Sequence, residues 1–116
     1  MKYNITLNSV IKEIKKEVIP SIPIKKFTIV NVKRKKNCLG YYKNGSCFDK
    51  TIIKLNIPTI KEAEKEGEVS LYDILLTTIL HELAHAIQQL KNKFFNEEEA
   101  ENFAYHYWDW KELLEI

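Results

Sequence analysis

Residues 71–92 read "LYDILLTTILHELAHAIQQLKN". The first half of this stretch is apolar nearly all round, which predicts a helix over residues 71–91 buried at the centre of the domain. Ser70, with Asp73 in the third helical position, resembles a capping box and marks the start. Inside the helix, His81 and His85 stand four apart, and Glu82 follows the first.

On a helix, positions 81 and 85 project from one face with Cβ atoms about 5–6 Å apart. Two imidazoles so spaced reach adjacent corners of one tetrahedral Zn²⁺. Glu82 lies one position round, placed to reach past the metal to a bound water. Zinc lowers the pKa of such a water, and a carboxylate there takes its proton and hands it to a leaving amine. The pattern is HExxH, the signature of zinc peptidases. A buried helix with two structural histidines is the plain alternative. It does not explain a glutamate directly after the first histidine in an apolar helix, where a buried charge is costly.

Working outward, Leu7, Val10, Ile11, Ile14 and Val18 recur at helical steps and predict an amphipathic helix over about residues 7–19, ended by Pro20 and Pro23. Residues 24–32, "IKKFTIVNV", are rich in β-branched types and read as a strand. Asn44-Gly45 signals a two-residue hairpin. In that register Tyr42 faces Cys47 and Cys38 faces Thr51, so a disulfide between Cys38 and Cys47 is disfavoured and free thiols are expected. Thr51–Asn56 reads as a further strand closed by Pro58, and residues 59–68 as a short surface helix or loop. Asn96 caps a final helix with three acids in its first turn, which suits the positive end of the helix dipole. The expected fold is α+β: a small twisted, mainly antiparallel sheet on the N-terminal helix and the HExxH helix, with the glutamate-bearing helix behind.

The chain has 116 residues, 45% apolar, with a net charge of +2. That fits one domain over residues 1–116, and the weak charge does not point to nucleic acid. The lysine run at 33–36 reads as a solvated strand end. The longest stretch free of Lys, Arg and Glu, residues 69–81, is too short to span a bilayer. The N-terminus carries charges where a signal peptide needs an apolar block. A soluble, cytoplasmic protein is expected, and richness in Lys, Ile and Glu points to a thermophilic source.

Two histidines leave a ligand to find. A metzincin needs glycine at 88 and histidine at 91, where this chain has Gln88 and Lys91. A histidine at 89 is also absent, since Gln89 stands there. The remaining common solution is a glutamate from a following helix, and "NEEEAENFA", residues 96–104, offers acids in that place.

The pair of HELAH and NEEEAENFA resembles the gluzincin metallopeptidases. The second stretch is similar to that of the prenyl-protein (CAAX) and heat-shock membrane peptidases and of the ImmA/IrrE regulatory peptidases. A compact chain of this size most resembles the minigluzincins, which share that core without membrane helices. The resemblance covers about residues 51–104. It implies Glu97 as third ligand and Glu101 in place of the family's aspartate, accepting a hydrogen bond from a ligating histidine. Glu101 is longer than that aspartate by a methylene. Glu99, Glu98 and His106 stay open as alternative third ligands. The resemblance further implies a cleft-rim strand that takes up extended peptide by strand addition, for which Thr51, Ile52, Ile53, Lys54 and Leu55 are the candidates. It also implies an oxyanion stabiliser, with Tyr105, His106 and Tyr107 in range.

The tail, residues 105–116, is amphipathic, with Trp108, Leu113 and Leu114 able to pack on the core. Asp109, Glu112 and Glu115 give a second possibility: a regulatory segment lying across the cleft, within one chain or between two chains of a homodimer joined through the C-terminal helix. The expected function is a zinc-dependent metalloendopeptidase acting on peptide or protein substrates, made in a latent form if the tail occludes the cleft. Rival readings are a regulatory peptidase specific for one partner, and a non-catalytic module whose zinc is structural or absent.

Overall fold

The structure is a computed structural model that describes residues 2–22, 24, 26–33, 40–42, 51–90 and 96–110; of residues 41, 42 and 107–110 it describes the backbone. The fold is α+β and mostly helical. The chain opens on α1 (Lys2–Glu13), which widens into a π-helical turn at Ile14–Val18, where the Ile19 N–H reaches the Ile14 carbonyl. A 3₁₀ turn at Ile19–Ser21 containing Pro20 ends it. Three strands follow, β1 (Phe27–Val32), β2 (Gly40–Tyr42) and β3 (Thr51–Asn56), and then α2 (Ile57–Glu66), α3 (Leu71–Leu90) and α4 (Glu97–Trp110).

α1 begins five residues before the expected start. Tyr3 extends the stripe of Leu7, Val10, Ile14 and Val18 by one turn, and its hydroxyl donates to Asn31 Oδ1 on β1 at 3.0 Å. Pro58 does close β3, and it does so by sitting in the first turn of α2, where its missing N–H is no loss. α2 ends at Gly67 (φ 82°), whose N–H bonds the Glu64 carbonyl at 3.0 Å. The glycine there spares the strain that a side chain meets in the left-handed region. The Ser70 cap of α3 is formed, with Ser70 Oγ accepting from the Asp73 N–H at 3.1 Å.

The sheet order is β1-β3-β2. β1 pairs parallel with β3 from Phe27↔Thr51 to Val32↔Asn56, and β2 pairs antiparallel with β3 over Gly40↔Leu55 to Tyr42↔Ile53. The expected antiparallel pairing is thus confined, among the described residues, to three positions, and the longer ladder is parallel. A second expectation is corrected: Thr51, Ile52, Ile53, Lys54 and Leu55 form the central strand, not an edge. Burial explains the order. β3 hides Thr51, Ile53, Leu55 and Asn56, whereas β1 leaves Thr28, Val30 and Asn31 exposed and suits the rim. The hairpin at Asn44-Gly45, both cysteines and residues 111–116 lie outside the described residues.

Val10, Ile14 and Val18 from the first helix, Ile53 and Leu55 from β3, Ile60 from α2 and Leu75, Ile79 and Leu83 from α3 are all fully buried. α3 is the hub of this core, as its all-round apolar first half predicts. Gly40 sets the approach of β2 to it. A Cβ on Gly40 would stand 2.8 Å from the Lys54 carbonyl oxygen and 3.0 Å from Thr78 Cγ2. The absent side chain therefore lets β2 lie against α3 one turn before His81.

Candidate metal centre

α3 and α4 run antiparallel and bring the two motif stretches together. The Asn96 side chain caps α4, with Oδ1 accepting from the Glu99 N–H at 2.9 Å. That cap directs the first turn of α4 at the turn of α3 carrying the histidines. Glu97 Oε2 lies 2.8 Å from His81 Nε2, and Glu97 Oε1 lies 3.0 Å from His85 Nε2. The two Nε2 atoms are 3.1 Å apart. Single ligand atoms of His81, His85 and Glu97 all fall within 4.8 Å of one another, and the three form a group that can hold a metal ion.

The opposite ring nitrogens are also engaged. His81 Nδ1 is 2.6 Å from Glu101 Oε1. His85 Nδ1 is 2.9 Å from Gln88 Oε1. The Gln88 amide cannot be the other way round, because its Nε2 donates to the Asn96 carbonyl at 3.1 Å and to Glu99 Oε1 at 3.0 Å. In a neutral imidazole these acceptors place the ring proton on Nδ1 and leave the Nε2 lone pair facing inward. Two such nitrogens and the Glu97 carboxylate converge on one point, which a cation held between them would satisfy. Tetrahedral bonds of about 2.0–2.1 Å hold neighbouring nitrogens about 3.3–3.4 Å apart, close to the separation found. The donor set fits a metal ion.

Glu82 sits on the turn between the histidines and is only 6% exposed. Glu98 is exposed and takes no part in the group. Glu99 is half-buried in its contact with Gln88. His106 is exposed at a kink in α4 (φ −124°, ψ 25°) and is likewise outside the group. Of the candidates for the third position, Glu97 meets both histidines and joins the group that can hold a metal, and Glu98, Glu99 and His106 are outside that group. Tyr105 is 64% exposed. It lines a groove of about 470 Å³ with Ala63, Asp73, Thr77, Leu80 and Ala104, a different group of residues from the metal set. The side chain of Tyr107 lies outside the described part of the molecule.

Gln88 is the residue that sequence reasoning passed over. It entered only as the position where a metzincin glycine is missing. Its signal was available: an amide three residues after His85, on the same face of an apolar helix.

No family model, curated protein or solved structure matches the chain. Among the described residues, no helix is long and apolar enough to cross a membrane.

Proposed function

We propose that the chain is a zinc-dependent metalloendopeptidase with a zincin-like fold, similar to the gluzincins of the minigluzincin type. One observation carries this reading: the Nε2 atoms of His81 and His85 converge on each other and on Glu97, with Glu82 buried between them in sequence. His81, His85 and Glu97 would hold the ion. When bound, zinc would supply Lewis acidity and make a water proton acidic near neutral pH. Glu82 would hold a proton on its carboxylate and pass it to the nitrogen of the leaving amine. Glu101 and Gln88 keep the imidazoles from rotating. An extended substrate would align on β2 in place of the central β3. β2 lies on α3 beside Thr78, and its outer edge pairs with no described strand.

The test is Glu82→Gln. The variant should retain zinc by mass-spectrometric metal analysis and lose proteolysis of an unfolded protein. A variant as active as the parent chain would sink the mechanism, and a metal-replete parent chain without zinc would sink the whole reading. The C-terminal segment from residue 105 is proposed as a latency device of the same enzyme. Truncation after Trp108 should raise activity, and a folded, zinc-bound truncation with unchanged activity would exclude it.

A further inference from the structure

Gln88 is only 2% exposed, and its carboxamide is used on every side. Oε1 faces His85 Nδ1 at 2.9 Å and accepts from the Asn96 N–H at 3.3 Å. Nε2 donates to the Asn96 carbonyl at 3.1 Å and to Glu99 Oε1 at 3.0 Å. The side chain thus clasps both polar groups of one backbone residue, as a neighbouring strand would, and the next residue is Glu97.

We infer that Gln88 is a positioning residue that ties the tautomer of His85 to the docking of α4, so that the second histidine and Glu97 are presented as one unit. This rests on the metal-site reading above. The physical case has two halves. Flipping the amide would set its NH₂ against the Asn96 N–H and its oxygen against the Asn96 carbonyl and the Glu99 carboxylate, so α4 in place dictates the orientation of Gln88. That orientation aims an acceptor at His85 Nδ1, which keeps the ring proton there and leaves Nε2 bare. If α4 is displaced, Gln88 loses its bonds to Asn96 and Glu99 and nothing fixes which way the amide points. His85 is then free to carry its proton on Nε2, the atom that faces His81 and Glu97, and a protonated Nε2 cannot ligate.

The experiment uses the full chain stripped of metal, with Gln88→Leu, Gln88→Glu, and Gln88→Glu combined with Glu99→Gln. Long-range proton–nitrogen NMR of the imidazoles reports which ring nitrogen of neutral His85 holds the proton. Competition titration with a chelator reports zinc affinity. The parent chain should show His85 protonated on Nδ1. Gln88→Leu should move the proton wholly or partly to Nε2 and weaken zinc binding roughly 10–100-fold. Gln88→Glu keeps the acceptor for His85 but loses both donors and faces Glu99, so the tautomer should stay while affinity falls. Adding Glu99→Gln returns a donor to that contact and should recover most of the affinity.

A merely structural glutamine would lower the melting temperature in every variant and leave the tautomer alone. A folded Gln88→Leu with His85 still protonated on Nδ1 and zinc affinity unchanged would overturn the inference. If Gln88→Leu does not fold, failure of Glu99→Gln to rescue Gln88→Glu overturns it equally. Should the parent chain bind no zinc, the metal reading falls, while the tautomer of the metal-free protein still decides the role of Gln88.

Discussion

His81 Nδ1 stands 2.6 Å from Glu101 Oε1, one helical turn along α4 from Glu97. The glutamate reaches one of the two histidine rings from a side chain that is 51% exposed. Removing this acceptor frees the proton on His81 to move to the inward nitrogen. Glu101→Ala should therefore weaken zinc binding about 10–100-fold, and Glu101→Asp should fall between it and the parent chain. Competition titration against a chromophoric chelator measures both. Equal affinity for Glu101→Ala would remove the role.

Glu97, Glu98 and His106 separate cleanly in the same assay. Glu97→Ala removes the carboxylate that meets both histidines, and it should cost more than the roughly 10–100-fold loss of an outer partner. Glu98→Ala and His106→Ala, both exposed, should bind as the parent chain does. A loss confined to His106→Ala would reassign the third ligand.

Metal should stabilise the fold. The group joins α3 to α4, so an ion bound only by the native state adds RT ln(1 + [L]/Kd), about 2.7 kcal/mol at a hundredfold excess over Kd. Zinc should raise the melting temperature and a chelator should reverse the rise. A chain carrying both His81→Ala and His85→Ala should respond to neither.

Gly40→Ala tests the seating of β2. The new methyl would meet the Lys54 carbonyl at 2.8 Å, a backbone atom with little room to yield, and Thr78 at 3.0 Å. Overpacking of this kind costs about 1–3 kcal/mol. Chemical denaturation should register the loss, and a variant as stable as the parent chain would show that β2 lifts off α3 freely.

Tyr3 gives an alkaline signature. Burial pushes its phenol up to about 12 from the ordinary value of 10.0. An acid whose folded pKa is raised binds its proton more tightly when folded. Its contribution is fully present below the unfolded value and is lost as pH rises from there through the folded one. Tyr3→Phe loses the hydrogen bond to Asn31, so it should be the less stable protein at neutral pH. The gap should narrow as thermal melts are taken at rising pH through the window from 10.0 to about 12. A gap constant across that window would mean that the phenol ionises equally in both states.

Legibility from sequence divided along the range of the interactions. α3 and its Ser70 cap, the Asn96 cap of α4 and the spacing of His81, Glu82 and His85 are set by neighbours within a few positions, and each was readable. The parallel pairing of β1 with β3 was not. Its partners, such as Phe27 and Thr51, are far apart in sequence, and an alternating β-branched run looks the same in either direction. The local hairpin signal at Asn44-Gly45 drew the whole sheet towards an antiparallel reading. The start of α1 was hidden because Asn4, Thr6 and Asn8 are modest helix formers, although Tyr3 continues the buried stripe. Gln88 escaped because an amide at the foot of a helix is ordinarily solvated, and its burial depends on where Asn96 comes to rest.

The antiparallel seam of α3 and α4 places every member of the metal group between His81 and Glu101 in one uninterrupted stretch of chain. Closing that stretch spans somewhat fewer residues than aligning β1 on β3, and its entropic toll is lower by a few tenths of a kcal/mol, on the order given by loop-closure entropy. Folding is faster where contacts are local, and long-range parallel pairing is intrinsically slow. The ligand set therefore lies on contacts of somewhat lower order than the parallel ladder. Substitutions in the sheet should bear on the longer-range pairings of the domain, and substitutions along the seam on the two helices that present His81, His85 and Glu97 to one another.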